Sequence, residues 1–187
     1  MDAFTAIPIL EGKLTELESS EPSWKNCRAC PFSGKCCDGA SLNLFPEEKA
    51  AISDYLGRNP DVLRYALPRF KQGKKCYFYD KESSKCLIHE VRPLNCRWTP
   101  HAAFREEDGR HSVHVRDNQC NFTKKIVSPL HTTGSTITLS PEDITPGANK
   151  TYISWQSISE LHPLMERAHE MEPLENLMAD LTFPAIP

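Results

Sequence analysis

Eight cysteines constrain this chain more than any other feature. Four fall within eleven residues, at Cys27, Cys30, Cys36 and Cys37; Cys76, Cys86 and Cys96 follow with nine residues between successive members, and Cys120 stands alone. A chain of 187 residues can hide roughly 70% of its unfolded surface on folding. It therefore needs neither disulfides nor metal merely to fold, unlike a chain of about 40 residues. The sulfurs call for another reason, and metal chelation is the strongest.

Two other uses of cysteine are weaker. A single free cysteine is usually a small buried hydrophobe; that reading and ligation are equally balanced for Cys120, but burial alone does not explain all eight. A secreted disulfide scaffold is disfavoured because Met1 to Ala6 carry no positive leader and the apolar stretch to Leu10 is short. The expected compartment is the reducing cytoplasm, where thiols stay free or bind metal. The sequons at Asn121 and Asn149 then read as chance. No run approaches ~18 apolar residues, so no membrane span is expected. With a net charge of −3 and lysine and arginine scattered, the chain lacks the footprint of a nucleic-acid binder.

The Cys27-x-x-Cys30 pair can present two sulfurs to one metal from a turn, a moderate signal because redox dithiols share the spacing. A thioredoxin-like pair would open a helix, whereas Pro31, Ser33 and Gly34 follow here. A zinc ribbon needs a second Cys-x-x-Cys knuckle and a Cys2His2 finger a helical His-x(3–5)-His pair, and neither is present. Thiolates select zinc, Cu(I) and iron–sulfur clusters. Eight can serve two sites, or one site and a redox pair. Adjacent Cys36 and Cys37 point in different directions when extended, so they can belong to different sites.

Arg92 and Arg97 flank Cys96. A metal held by four thiolates leaves a net charge near −2, which nearby guanidinium groups would offset while donating to sulfur. A surface pair between Glu90 and Arg92, worth little, is about as good an account. His89 and His101 border the same segment and read first as solvated or core histidines.

The expected architecture is a single irregular α+β domain, a small metal-clamped cysteine-rich core of short strands and helices with a helical C-terminal extension. Residues 1–24 form an N-terminal arm or short helix, 25–126 the cysteine-cluster metal-binding domain, and 127–187 a loop-rich linker and helical extension. Residues 41–45 alternate as a short strand. Pro46, Glu47 and Glu48 open a helix that Gly57 should stop. Asn59 should cap a second helix that Pro68 disturbs. Cys76 to Tyr79 and Cys86 to His89 read as a hairpin, and 92–97 as a turn or single helical turn. Residues 111–116 and 119–123 suggest a strand pair carrying Cys120, and Thr136 to Leu139 another strand. Leu161, Leu164, Met165, Ala168 and Met171, then Leu174, Leu177, Met178 and Leu181, have helical spacing. They suit core packing better than a protein-docking surface, although Met165, Met171 and Met178 would also suit a partner.

Taken together, Cys27-x-x-Cys30, Cys36-Cys37, Cys76-Tyr77-Phe78 and the run Cys86-Leu87-Ile88-His89-Glu90-Val91-Arg92-Pro93-Leu94-Asn95-Cys96-Arg97 resemble the CxxCxxCC cysteine-cluster family (YkgJ-like) of zinc- or iron-chelating proteins. The likeness covers about residues 25–125. His89 stands where the family has tyrosine, and five residues separate Cys30 from Cys36, a longer spacing than usual. The resemblance implies metal chelation, by iron, as a cluster or as Fe, or alternatively by zinc. Flagellin lysine methylases are similar in the cysteine motif, which implies the alternative of a metal-dependent enzyme acting on a protein side chain or small metabolite. Such an enzyme would need a non-cysteine group near the metal, with His89, His101, Glu90 and Arg97 as candidates. No Gly-x-Gly occurs, so a nucleotide-type S-adenosylmethionine loop is unsupported. A third alternative is a zinc-stabilised protein-interaction module.

Overall fold

The computed structural model describes residues 1–20, 42–73, 76–80, 82–83, 85–98, 103–105, 111–114, 136–139 and 158–182. They form a small mixed α+β core with short elements and a distinct C-terminal helix, as the sequence leads one to expect. The described helices are α1 (Ala3–Ser20), α2 (Pro46–Arg58), α3 (Pro60–Lys71), α4 (Leu94–Trp98), α5 (His162–Met165) and α6 (Leu174–Thr182). The strands are β1 (Asn43–Leu44), β2 (Tyr79–Asp80), β3 (Lys85–Cys86), β4 (Ala103–Arg105), β5 (His111–His114), β6 (Thr136–Leu139) and β7 (Glu172–Pro173).

Helix α1 is longer than an arm needs to be, and it is docked. Asp2 caps it, its Oδ1 accepting the Thr5 N–H at 2.7 Å, the usual service of an aspartate at this position. Ala3, Ala6, Leu10 and Leu14 are buried at the spacing of one helix face. They pack with Phe45, Leu94, Leu161 and Leu164 into one apolar cluster. Pro8 lies inside the helix but on its exposed side, so the backbone bond it removes costs no core contact.

Helices α2 and α3 both start on proline, which fits the first helical position because its missing N–H would be unpaired there anyway. Gly57 does not end α2, which runs through Arg58. The positive φ that would have made Gly57 a stop signal occurs instead at Gly73, at 67°, just after α3. Asn59 serves the preceding helix rather than capping the next. Its Nδ2 donates to the Tyr55 carbonyl at 2.8 Å, and it makes no side-chain cap bond to α3. Pro68 is accommodated inside α3, which continues to Lys71.

A second apolar cluster lies between α2, α3 and α6. It contains Ile52 and Leu56 of α2, Ala66 of α3, Leu177 and Met178 of α6, and the aromatic pair Tyr77 and Phe78. The two-residue strands β1 and β7 pair antiparallel, Asn43 with Pro173 and Leu44 with Glu172, which ties the C-terminal helix to the entrance of α2. Lys49 reinforces the junction with ion pairs of 2.9 Å to both Glu172 and Asp180. The apolar face of α6 is thus spent on the core.

Strand β5 pairs antiparallel with β4 and with β6, in the register Phe104–Ser112–Thr138. The expected strand over Thr136 to Leu139 is present. Residues 119–123, expected as the partner of 111–116, lie outside the described residues.

Candidate metal centre

Three of the eight cysteines are described, Cys76, Cys86 and Cys96, and all three are free thiols. Cys27, Cys30, Cys36, Cys37 and Cys120 lie outside the described residues, as does His101. Cys76 and Cys86 belong to one hairpin and Cys96 to a helix, so what relates the helix to the hairpin is the packing around them.

Cys76 sits at the entrance to the β2–β3 hairpin and Cys86 on its return strand, where it pairs with Tyr79. The hairpin is shorter than the sequence suggests, with two residues per strand, and Cys76 precedes β2 rather than belonging to it. The link between the strands is closed by Asp80, which accepts the Glu82 N–H at 3.1 Å and the Ser83 N–H at 3.3 Å and also bonds the Ser83 hydroxyl. Two helical tyrosines hold the hairpin from outside. Tyr55 of α2 donates to the Leu87 carbonyl at 3.2 Å, next to Cys86. Tyr65 of α3 reaches the Tyr79 carbonyl at 3.4 Å.

Cys96 lies in α4, and a buried carboxylate positions the start of that helix. Glu48 is 3% exposed. Its Oε2 accepts the Phe45 N–H at 3.0 Å and its Oε1 the Leu94 N–H at 2.6 Å. One side chain therefore satisfies unpaired donors at the starts of both α2 and α4. Burial raises its pKa, and the two N–H donors oppose that rise.

The thiols are close enough to feel one another's charge. Burial pushes Cys76 up to about 11; the Cys86 sulfur adds to the rise, while the Phe78 and Tyr79 N–H groups and Arg69 oppose it. Burial likewise raises Cys86, against the Ile88 N–H and the charge of Arg92. Cys96 is raised by burial, then by Cys76 and Cys86. Backbone N–H groups aimed at sulfur stabilise thiolate, yet without a cation these three would stay protonated near neutral pH. Cys76 is buried and Cys86 and Cys96 part-buried; thiols in such surroundings favour their anionic form only with positive charge brought to them.

Part of that charge is at hand. Arg92 lies near Cys86 and Cys96 and Arg69 near Cys76, by their effects on these thiols. Among the described residues the Nε atoms of both arginines are buried and have no hydrogen-bond partner. Buried donors are ordinarily paired, and a thiolate–metal group beside them would supply acceptors. In these respects the residues fit zinc or an iron–sulfur cluster. Among the described residues, however, no group of three or more histidine, cysteine, aspartate or glutamate side chains is arranged so that it could hold a metal ion; Cys76, Cys86 and Cys96 do not make a site by themselves, and further ligands would have to come from outside the described residues.

The remaining candidates are placed as follows. Arg97 is engaged elsewhere: its Nε donates to the Arg92 carbonyl at 3.0 Å, and its Nη1 pairs with Glu11 of α1 at 3.2 Å. His89 is exposed, and partial burial together with Arg92 and Arg97 lowers its pKa, which keeps the ring neutral. Glu90 is exposed, and its carbonyl accepts from Arg97. Sequence reading missed Arg69 and Glu48. Glu48 was legible only as a helix-start carboxylate, and nothing local marks Arg69.

The profile of the CxxCxxCC family, described as "Putative zinc- or iron-chelating domain", matches residues 26–122. The chain belongs to this family. It is 32% identical over 110 residues to "Uncharacterized protein MJ0661" of Methanocaldococcus jannaschii, an alignment covering 54% of this chain and 52% of the relative. The chain thus spans about half the length of the curated relative it matches. No solved structure matches it. Among the described residues no helix is long and apolar enough to cross a membrane.

Proposed function

We propose that this protein chelates a metal through its cysteines, and that the metal is iron held as an iron–sulfur cluster. The observation that supports the reading is that the three described cysteines are free thiols, one buried and two part-buried, and lie within a family match to zinc- or iron-chelating domains. Cysteines held unbridged in such a setting are best accounted for as ligands. Eight cysteines exceed the four that either a tetrahedral zinc site or an iron–sulfur cluster takes; one site and a redox pair, or two sites, would use them. When bound, the cluster would supply electron transfer or a Lewis-acidic iron.

In this reading residues 25–126 are the metal-binding unit, flanked by 1–24 and 127–187. Cys76, Cys86 and Cys96 supply sulfur, with Cys27, Cys30, Cys36, Cys37 and Cys120 completing the set. The Phe78, Tyr79 and Ile88 N–H groups hold the thiolates in place, and Arg92 offsets their charge. In this reading the protein works in the reducing cytoplasm, where thiols remain available to metal.

Anaerobic purification followed by iron, zinc and acid-labile sulfide analysis tests the proposal. The expected product is brown, with broad absorption near ~400 nm, and Cys30→Ser and Cys96→Ser each lose it. Colourless protein with stoichiometric zinc would replace iron by zinc. Full metal content in both variants would overturn the ligand assignment.

A further inference from the structure

The nine residues between Cys86 and Cys96 hold one turn of 3-10 helix, His89–Val91, and then bend at Arg92 and Pro93 into α4. The bend leaves carbonyls that the nearby backbone cannot serve. Three and four residues beyond Glu90 stand Pro93, which has no N–H, and Leu94, which gives its N–H to Glu48. The Cys96 and Arg97 N–H groups both go to the Pro93 carbonyl, at 2.9 and 3.1 Å. The Arg97 side chain turns back over the bend and supplies donors. Its Nε donates to the Arg92 carbonyl at 3.0 Å and its Nη2 to the Glu90 carbonyl at 3.4 Å. Its Nη1 holds Glu11 of α1 at 3.2 Å. One rigid planar fork thus bonds in three directions, a geometry that the point charge of a lysine does not reproduce. The Arg97 side chain is only 19% exposed, so its loss would leave the part-buried Arg92 carbonyl without this donor.

We propose that Arg97 is a positioning residue of the metal centre: by stapling the Glu90 and Arg92 carbonyls it fixes the bend between Cys86 and Cys96, and so the placement of Cys96 relative to the hairpin that carries Cys86. The inference rests on the metal-binding reading above. It replaces the two roles that the sequence suggests for Arg97, a charge beside sulfur and a group acting on a substrate. All three guanidinium nitrogens are committed to oxygen acceptors, and both backbone bonds fall in the segment that joins two of the cysteines. The Glu11 pair is an outer anchor. Its carboxylate is 53% exposed, and pairs of that kind contribute little.

The test is anaerobic titration of the full-length, metal-free protein with Co²⁺, a coloured probe of thiolate sites, read by competition with a chromophoric chelator and by the sulfur-to-cobalt charge-transfer band. Arg97→Met, which keeps the stem and removes every donor, is expected to weaken Co²⁺ binding about tenfold to a hundredfold, the usual effect of losing a group that orients a metal ligand. Arg97→Lys keeps the charge without the fork and should bind nearer the methionine variant than wild type. It also serves if the methionine variant does not fold. Glu11→Gln, which touches only the outer anchor, should match wild type. Amide hydrogen exchange of the metal-free protein reads the bend itself. In Arg97→Met the Cys96 and Arg97 amides, bonded to Pro93, should exchange faster, while the Asn59 amide at the end of α2 keeps its rate. Wild-type affinity in both Arg97 variants would overturn the inference and leave the metal centre standing. Full rescue by lysine would do the same, since charge alone would then account for the effect, as would weakened binding with unchanged exchange. Wild-type protein with no thiolate band would remove the metal centre and this role together.

Discussion

Glu48→Ala offers the sharpest test of how the Cys96 arm is held. The native carboxylate gives one oxygen to the Phe45 N–H and the other to the Leu94 N–H, in a site 3% exposed. Alanine leaves two buried donors without acceptors, at about 1–3 kcal/mol each, and removes a carboxylate from a helix start, worth about 0.3–1 kcal/mol. Relief from burying the carboxylate offsets part of this, so the expected loss is about 2–5 kcal/mol. That is a large share of the ~5–15 kcal/mol by which a typical domain is stable. Glu48→Gln should cost less but more than nothing. The two N–H groups use different oxygens, so one must face the new amide NH₂, donor against donor. Urea unfolding at pH 7, followed by far-ultraviolet circular dichroism, measures both. The pH dependence is a further check. Burial raises the folded-state pKa of Glu48, so its protonation contributes stability that is fully present below the unfolded carboxylate pKa and is lost as pH rises through the folded value. The stability difference between wild type and Glu48→Gln should therefore shrink as pH rises through that window. An alanine variant within about 0.5 kcal/mol of wild type, or a difference that grows with pH, would refute the reasoning.

Further outcomes are expected. Leu10→Ala, at a site 1% exposed in the cluster that docks α1, should cost about 2–5 kcal/mol in denaturant unfolding. Tyr55→Phe removes the bond to the Leu87 carbonyl and should cost about 1 kcal/mol while speeding metal release to a chelator, since the Cys86 arm loses its tether. In metal-free protein the folded Cys76 thiol is raised to about 11. Its contribution to stability should be intact below the ordinary thiol range and lost as pH climbs through about 11, and alkylation of Cys76 near pH 8 should lag behind that of a free thiol. Arg167 bonds Glu47 at 3.0 and 3.1 Å, Glu170 at 2.6 Å and the Met1 carbonyl at 3.0 Å. Arg167→Ala should lower stability measurably in urea unfolding, and by less at high salt, because its ion pairs are part-exposed.

The local signals read well where local chemistry decides. Proline and two carboxylates at 46–48 start α2, and the spacing of Leu174, Leu177 and Met178 gives the buried face of α6. The hairpin between Cys76 and Cys86 was legible in its position but not in its length, because turn residues mark a reversal without fixing how many pairs form. Gly57 misled because glycine is only permitted, not obliged, to take positive φ. What eluded sequence reading is long-range. The β1–β7 pairing joins segments far apart in the chain, and Glu48 finds its second donor on Leu94 only once α4 has packed beside α2. The family itself was legible, because cysteine is rare enough for its spacing alone to carry meaning.

The interior is divided into two apolar regions, and Cys86 and Cys96 pack against one of them while α1 is docked through the other. A disturbance at those thiols is therefore transmitted first to the helices α2, α3 and α6, and the anchorage of the N-terminal helix is the part of the molecule best insulated from it.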